Sequence, residues 1–537
     1  MKAGANELKS ADQIDRLIKN YSDHIDTLNS KAYGDLYMLS NPVLNNNPYM
    51  SNVLGNYIKD KQVVAPNFFF ILGRLFRYYL KSFFFLARWA LNKVFFKLGG
   101  HTHRFTNNKK RPITLVDTFF VTNNILKEGC VDKRYLKNID KFLTKHGQEF
   151  IFLPLFYQLD KNPLDYYRIS KTFKSQPFSY LTEYQLLKWV EIFPLVIFTL
   201  CYPFKVLKFQ RKIPSSNLLE KLTKYELINT LDSISVDFHI RYRLGLHLGN
   251  CFDNIKLISW FENQIFNKNL FKGIRTSGKD SKIYGCQSFL HFPSFVSCCN
   301  SDIDKQRGVL PDVILVNGEN YSLEDSPIPY KSGISFRYQK VFESEPIVDD
   351  SKAGTLLLLP YSTTEQGQPS CKNSSHMINM AAEASSLKGN FYIKPHPAQP
   401  LDDKQQLPAF WLKTSDDIYK LFKQVNVLIT TGSGVAGEAV AMGISLIVVG
   451  NVDSLFKNVC FFRNIQMRKP CSCCELGRGK IWDIVFSRDE LNYTLQVLTD
   501  YRKNHPKNIK ELAYKYRHMF FSKYTDEKFL KMFDLIS

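Results

Sequence analysis

The sequence predicts an α/β protein: two doubly wound parallel-sheet domains, preceded by a helical region that associates with a membrane. Three observations point there. Short runs near-continuous in Val, Ile and Leu ("TLLLLP", "VNVLITT", "SLIVVG") alternate with helical stretches, as strands buried on both faces do. A chain of 537 residues exceeds one ordinary core. The stretch "PNFFFILGRLFRYYLKSFFFLARWALNKVFFKLGG", residues 66–100, sets Arg74, Arg77, Lys81 and Arg88 on one helical stripe among aromatic and aliphatic side chains.

Residues 1–110 form the first unit. "ADQIDRLIKNYSDHIDTL" reads as a helix and "SNPVLNNNPYMSN" as a loop. No charge-free run in residues 66–100 approaches the roughly 20 residues that span a bilayer. The basic, aromatic helix is therefore expected in the headgroup interface of an anionic leaflet, against the plainer reading of a core helix with one solvated stripe.

Residues 111–345 form the second unit. "PITLVDTFF" and "EFIFLPLFY" read as strands, and "DNIKLISWFENQ", "SKIYGCQSF" and "PDVILVNGENY" as further strand–turn units. Between them, near residues 186–212, lies an apolar and basic insertion. Its "IFPLVIFTLCYPF" is charge-free but too short to span a bilayer, and reads either as a second interfacial element or as a buried helix. The polar "EPIVDDSKAG" marks a boundary. Residues 346–537 alternate strand and helix regularly and end in helices.

Composition narrows the partners. Hydrophobic residues at 44% and charged residues at 23% describe a folded chain, and 71 basic against 50 acidic residues leave +21. That charge favours an anionic partner: nucleic acid, an acidic membrane or a phosphorylated small molecule. No basic–aromatic nucleic-acid motif or zinc finger accompanies it, so no nucleic-acid partner is expected. "MKAGANELKSADQIDRL" has no apolar core of a secretory signal, and eleven irregularly spaced cysteines suit reduced thiols in a cytoplasmic protein. "CSCC" (Cys471, Cys473, Cys474) lacks zinc-knuckle spacing, and no metal is expected. "DID", Asp302 to Asp304, follows a polar stretch rather than an apolar strand and is set aside as a metal pair.

The chemistry is expected at strand ends, where open parallel sheets bind ligands. After "VLITT" the turn Gly432–Ser433–Gly434 enters a helix directly. Its amides, the hydroxyls of Thr430, Thr431 and Ser433 and the helix N-terminus together suit a phosphate. The turn lacks a Walker lysine and the full dinucleotide glycine spacing. Glu438, in the first turn of that helix, can accept from ribose hydroxyls, or can simply complement the helix dipole. "KPHP" stops its strand between prolines and presents Lys394 and His396, with His396 placed to donate to a phosphate and stabilise a leaving nucleotide. In "SWFENQ", Glu262 is the candidate base for an acceptor hydroxyl, or a helix-start carboxylate; Lys268, Lys272 and Arg275 follow as candidate contacts to an acidic acceptor or donor.

"KPHP" followed by "TTGSGVAGEAVAMG" resembles the paired His-Pro and Ser/Thr motifs of bacterial GT-B glycosyltransferases of surface polysaccharides. That group includes polysialyltransferases, capsular Kdo transferases and teichoic-acid glycerophosphotransferases. "SWFENQ…KGIR…IYGCQ…PDVILVNG" is similar to the matching region of surface-carbohydrate-biosynthesis proteins, so the resemblance covers about residues 260–451. It implies a GT-B-like fold, two Rossmann-like domains facing a cleft, with a CMP-linked nucleotide sugar as co-substrate and no cofactor or metal. By resemblance the donor phosphate falls to His396, Thr431 and Ser433. The expected activity is inverting transfer of a sugar, from a CMP-activated acidic donor, to a lipid-linked or nascent glycan at the inner face of the cytoplasmic membrane. CDP-glycerol or a UDP-sugar as donor, a UDP-sugar epimerase, and a non-catalytic membrane scaffold are the alternatives.

Overall fold

The computed structural model describes residues 11–45, 66–101, 112–129, 135–157, 162–288, 300–322, 326–348, 354–360, 372–382, 389–397, 399, 401, 407–431, 433–450 and 476–535. Cys471, Cys473, Cys474 and Gly432 lie outside them.

The first sheet contains β1 (Ile113–Val121), β2 (Phe150–Tyr157), β3 (Ser179–Tyr180), β4 (Asn254–Trp260), β5 (Asp280–Gln287), β6 (Val313–Val316) and β7 (Tyr330–Ser332). Their spatial order is β3-β2-β1-β4-β5-β6-β7, with every pairing parallel. The second contains β8 (Thr355–Leu358), β9 (Phe391–Lys394), β10 (Trp411–Lys413), β11 (Val427–Thr430), β12 (Ser445–Val449) and β13 (Trp482–Val485). Its order is β10-β9-β8-β11-β12-β13, again parallel throughout. The expected GT-B-like pair of doubly wound domains is present, and each sheet follows the Rossmann order, first strand central and the chain reversing direction beside it. The strands read as apolar runs because helices cover both faces: all residues of β6, β8, β11 and β12 are buried.

Among the helices, α1 (Ala11–Lys31), α2 (Phe68–Leu98) and α3 (Ile192–Arg211) belong to the first domain. Tyr21, Trp89 and Tyr202 from these three helices share one apolar cluster with Val116 and Phe152 of the sheet. Two more, α4 (Ser235–Cys251) and α5 (Ile265–Thr276), flank β4 and cross at glycines. A Cβ on Gly245 would collide with the Leu270 carbonyl, and one on Gly273 with the Tyr242 carbonyl. Only glycine allows this backbone contact, and it fixes α5 and the β4–α5 turn that carries Glu262.

In the second domain α6 (Val435–Ala441) follows β11. The tail continues as α7 (Arg488–Asn504), α8 (Pro506–Phe520) and α9 (Asp526–Met532). The α8 helix packs near α6, where Arg517 Nε donates to the Ala441 carbonyl at 3.2 Å. The chain then returns to the first domain: Tyr524 stacks on Phe142 at 3.8 Å, and Tyr284 donates to the Phe533 carbonyl at 3.0 Å. This strap, with an apolar cluster running from Ile314 through Tyr338 to Leu446, holds the two domains together.

Candidate active site

Each sheet has one topological switch point, β1/β4 in the first and β8/β11 in the second, where ligands bind beyond the carboxyl ends. Glu262 stands two residues past β4, and Ser433 three past β11. The two candidate groups occupy equivalent places in the two domains.

Glu262 is fixed by both oxygens: Trp260 Nε1 donates to Oε1 at 2.7 Å and Gln264 Nε2 to Oε2 at 2.7 Å. Burial raises its pKa above the usual carboxylate value, opposed by the Trp260 hydrogen bond and by the positive charge of Arg337. A carboxylate made more basic by burial and held in a fixed orientation suits a general base.

Across from it, Glu438 on α6 is 7% exposed and receives the Tyr419 hydroxyl at Oε2. Burial pushes its pKa up to about 7, against the pull of Tyr419 and, again, of Arg337. One cation therefore acts on both carboxylates. Arg337 sits on the short 3₁₀ segment Phe336–Phe342 that leaves the first sheet, its guanidinium 5.4 Å from the Tyr135 ring, 5.9 Å from Trp260 and 5.7 Å from Tyr338. Among the described residues it makes no hydrogen bond, and its guanidinium, with five N–H donors, is of the kind that suits an anionic guest. Neighbouring Lys340 pairs with Asp417 of the second domain at 3.2 Å and lies 5.1 Å from the Tyr419 ring. Arg337, Lys340 and Tyr419 were not singled out in the sequence; "FRYQK", basic and aromatic beside the domain boundary, was the available signal.

The two expected phosphate turns are not on adjacent strands, because β8 lies between β9 and β11. At about 4.8 Å per strand their ends stand roughly 10 Å apart. Both are tied to the end of β8: Leu359 N donates to the Lys394 carbonyl at 3.0 Å, and Thr430 Oγ1 to the Leu358 carbonyl at 3.2 Å. Thr430 is fully buried, and its hydroxyl holds the sheet rather than facing a ligand. Thr431 and Ser433 are half-buried beyond the strand, and Ser433 Oγ accepts from the Val435 amide at 3.4 Å. In front of Gly434 a side chain would find open space, with the Tyr338 hydroxyl the nearest atom at 4.0 Å.

His396 is half-buried, and burial lowers its pKa, so the ring is neutral at neutral pH and can donate one N–H. Lys394 is likewise lowered by burial, and Asp416 and Asp417 act against that.

The cationic trio after Glu262 does not converge on the cleft. Lys268 is 1% exposed and bonded to Asp304 at 2.7 Å, an internal ion pair closed to an acceptor. Arg275 bonds Asp312 at 2.9 Å and the Leu310 carbonyl at 2.5 Å. Lys272 shares the far half of α5, which runs back from the carboxyl edge over about 18 Å. Among the described residues no cluster of His, Cys, Asp and Glu has the makings of a metal site.

No family model and no curated protein matches the chain. Solved structures similar to it include the glycosyltransferase of kitacinnamycin, at 9% identity over 78% of this chain and 98% of that one, TM-score 0.39. The wall teichoic acid polymerase TagF is similar at 11% identity over 87% and 96%, TM-score 0.39. The glycosyltransferase VinC in complex with dTDP is similar at 10% identity over 79% and 100%, TM-score 0.38. Likenesses of this size assign no function to the chain.

Proposed function

We propose that the protein is an inverting, metal-independent glycosyltransferase that uses a nucleotide sugar. The observation that carries the reading is the shared cation: Arg337 acts on Glu262 of one domain and Glu438 of the other, at the carboxyl ends of two Rossmann-ordered sheets. The nucleotide lies on the second domain, its ribose toward Glu438 and its phosphate between Ser433, Thr431 and His396. Glu262 takes the proton of the acceptor hydroxyl as that oxygen bonds to the anomeric carbon. The bond from that carbon to the phosphate oxygen breaks, and its electron pair stays with the nucleotide. His396 donates a hydrogen bond to the departing phosphate, and Arg337 offsets its charge. Attack opposite the leaving group inverts the centre.

The donor is a CMP-linked acidic sugar and the acceptor a lipid-linked or nascent surface glycan, met at the inner face of the cytoplasmic membrane. The motif resemblance and the basic balance of the chain favour this choice. Calorimetric titration of CMP, CDP and UDP into the whole protein and into His396→Ala tests it. The reading expects micromolar CMP binding, weakened about 10- to 100-fold in the variant, as loss of a hydrogen bond to a charged group implies. Preference for CDP or UDP changes the donor; no binding by folded protein removes the transferase.

A further inference from the structure

We propose that α2 and α3 together form one docking panel by which the first domain lies flat on an anionic bilayer, both helices dipping into the headgroup layer. The inference rests on exposure and charge and does not depend on the transferase reading.

The two helices lie side by side: the Tyr79 hydroxyl donates to the Leu200 carbonyl at 3.2 Å, and Tyr78 stacks on Tyr202 at 5.6 Å. Each buries one face, α2 through Tyr78, Leu86 and Trp89, α3 through Leu195, Phe198 and Tyr202. The opposite faces are apolar and bare. Phe69, Phe76 and Phe84 on α2 are 79%, 68% and 65% exposed, and Phe193, Ile197 and Phe204 on α3 are 73%, 55% and 66%. Single exposed apolar residues are ordinary; a continuous two-helix panel marks an interaction surface.

Charge identifies the partner. α2 carries six basic residues, five of them outside the core and Lys93 buried, and no acidic ones; α3 carries three basic and none acidic. On α2 the stripe of Arg74, Arg77 and Lys81 borders the bare face, and on α3 that face ends in Lys208 and Arg211. Apolar side chains with a one-signed basic border fit anionic headgroups over acyl chains, not the mixed rim of a protein interface. By length and composition α3 could also cross a membrane. Its buried face rules that out in this fold, because Phe198 stacks on His239 of α4 at 4.2 Å. Of the two expectations for this segment, the structure shows one buried face; the interfacial role of the exposed face is what the proposal adds.

Trp189, just before α3, is 45% exposed, whereas Trp89, Trp260, Trp411 and Trp482 are buried, so it is a built-in reporter. The whole chain is mixed with vesicles of phosphatidylcholine alone or with a quarter phosphatidylglycerol, carrying a doxyl quencher near the headgroup or near the chain end. The proposal expects a blue shift and quenching only on the anionic vesicles, stronger from the shallow label and absent in Trp189→Phe. Phe76→Asp and Phe193→Asp should each lower the bound fraction at least about tenfold, with thermal stability and nucleotide affinity unchanged. Four results overturn it: no quenching, stronger quenching by the deep label, a binding loss confined to the α2 variant, or a vesicle-independent dimer that Phe193→Asp dissociates.

Discussion

Replacing Glu438 with Gln removes a buried charge while leaving an oxygen for the Tyr419 hydroxyl to bond. In the wild type, burial raises this carboxyl from 4.5 to about 7. That rise corresponds to roughly 3 kcal/mol in favour of the protonated form. Because the folded value lies above the unfolded one, this contribution is fully present below about pH 4.5 and is lost as pH rises through about 7. The Gln variant never ionises and loses nothing. Measured by thermal unfolding, Glu438→Gln should match the wild type near pH 5 to within about 1 kcal/mol and exceed it by roughly 3 kcal/mol at pH 8. For a domain of this size that is about 6–12 °C. Ligand-free protein must be used, since a bound nucleotide stabilises by mass action. An equal difference between the proteins at both pH values would refute the buried-acid assignment. A variant less stable at both would mean that Glu438 is needed ionised, as the partner of Arg337.

Other changes separate chemistry from support. Glu262→Gln should lower kcat about 10²–10⁴-fold and leave the donor Kd unchanged, seen by steady-state kinetics beside calorimetry; an unchanged kcat would move the base elsewhere. Lys268→Met strands a buried Asp304 and should cost about 3–5 kcal/mol of stability in denaturant melts, with full activity in the molecules that stay folded. Adding Asp304→Leu should restore most of that loss, whereas a specific loss of acceptor affinity would return Lys268 to the site.

The sheets were legible because their strands are buried on both faces, which writes them as apolar runs; β11 and β12 were readable for that reason. Four strands escaped notice: β3, β7 and β10 are two- or three-residue edges with no run to read, and β13 is a four-residue edge whose run is broken by Asp483. His396 and Ser433 were singled out because a strand end with a proline or glycine stop announces itself locally, and Glu262 because it follows the apolar run that became β4. Charge pairing is not local. Lys268 and Arg275 look like a cationic patch in "NKNLFKGIR", yet their partners Asp304 and Asp312 lie 36 and 37 residues on. Strand order is equally invisible in one dimension, so nothing in the chain said that β8 would stand between the two phosphate turns. Arg337 gains its meaning only when two domains meet around it.

The central claim is that one anionic ligand bridges both domains at Arg337, and the direct test is the affinity of CMP for the wild type and for Arg337→Met. Arg337 packs against three rings and acts on two buried carboxylates, so thermal unfolding of the variant is measured beside its affinity to show that it is folded. The account predicts at least tenfold weaker binding, as loss of a charged contact to phosphate requires. Equal affinity in the two proteins, both folded, would contradict it.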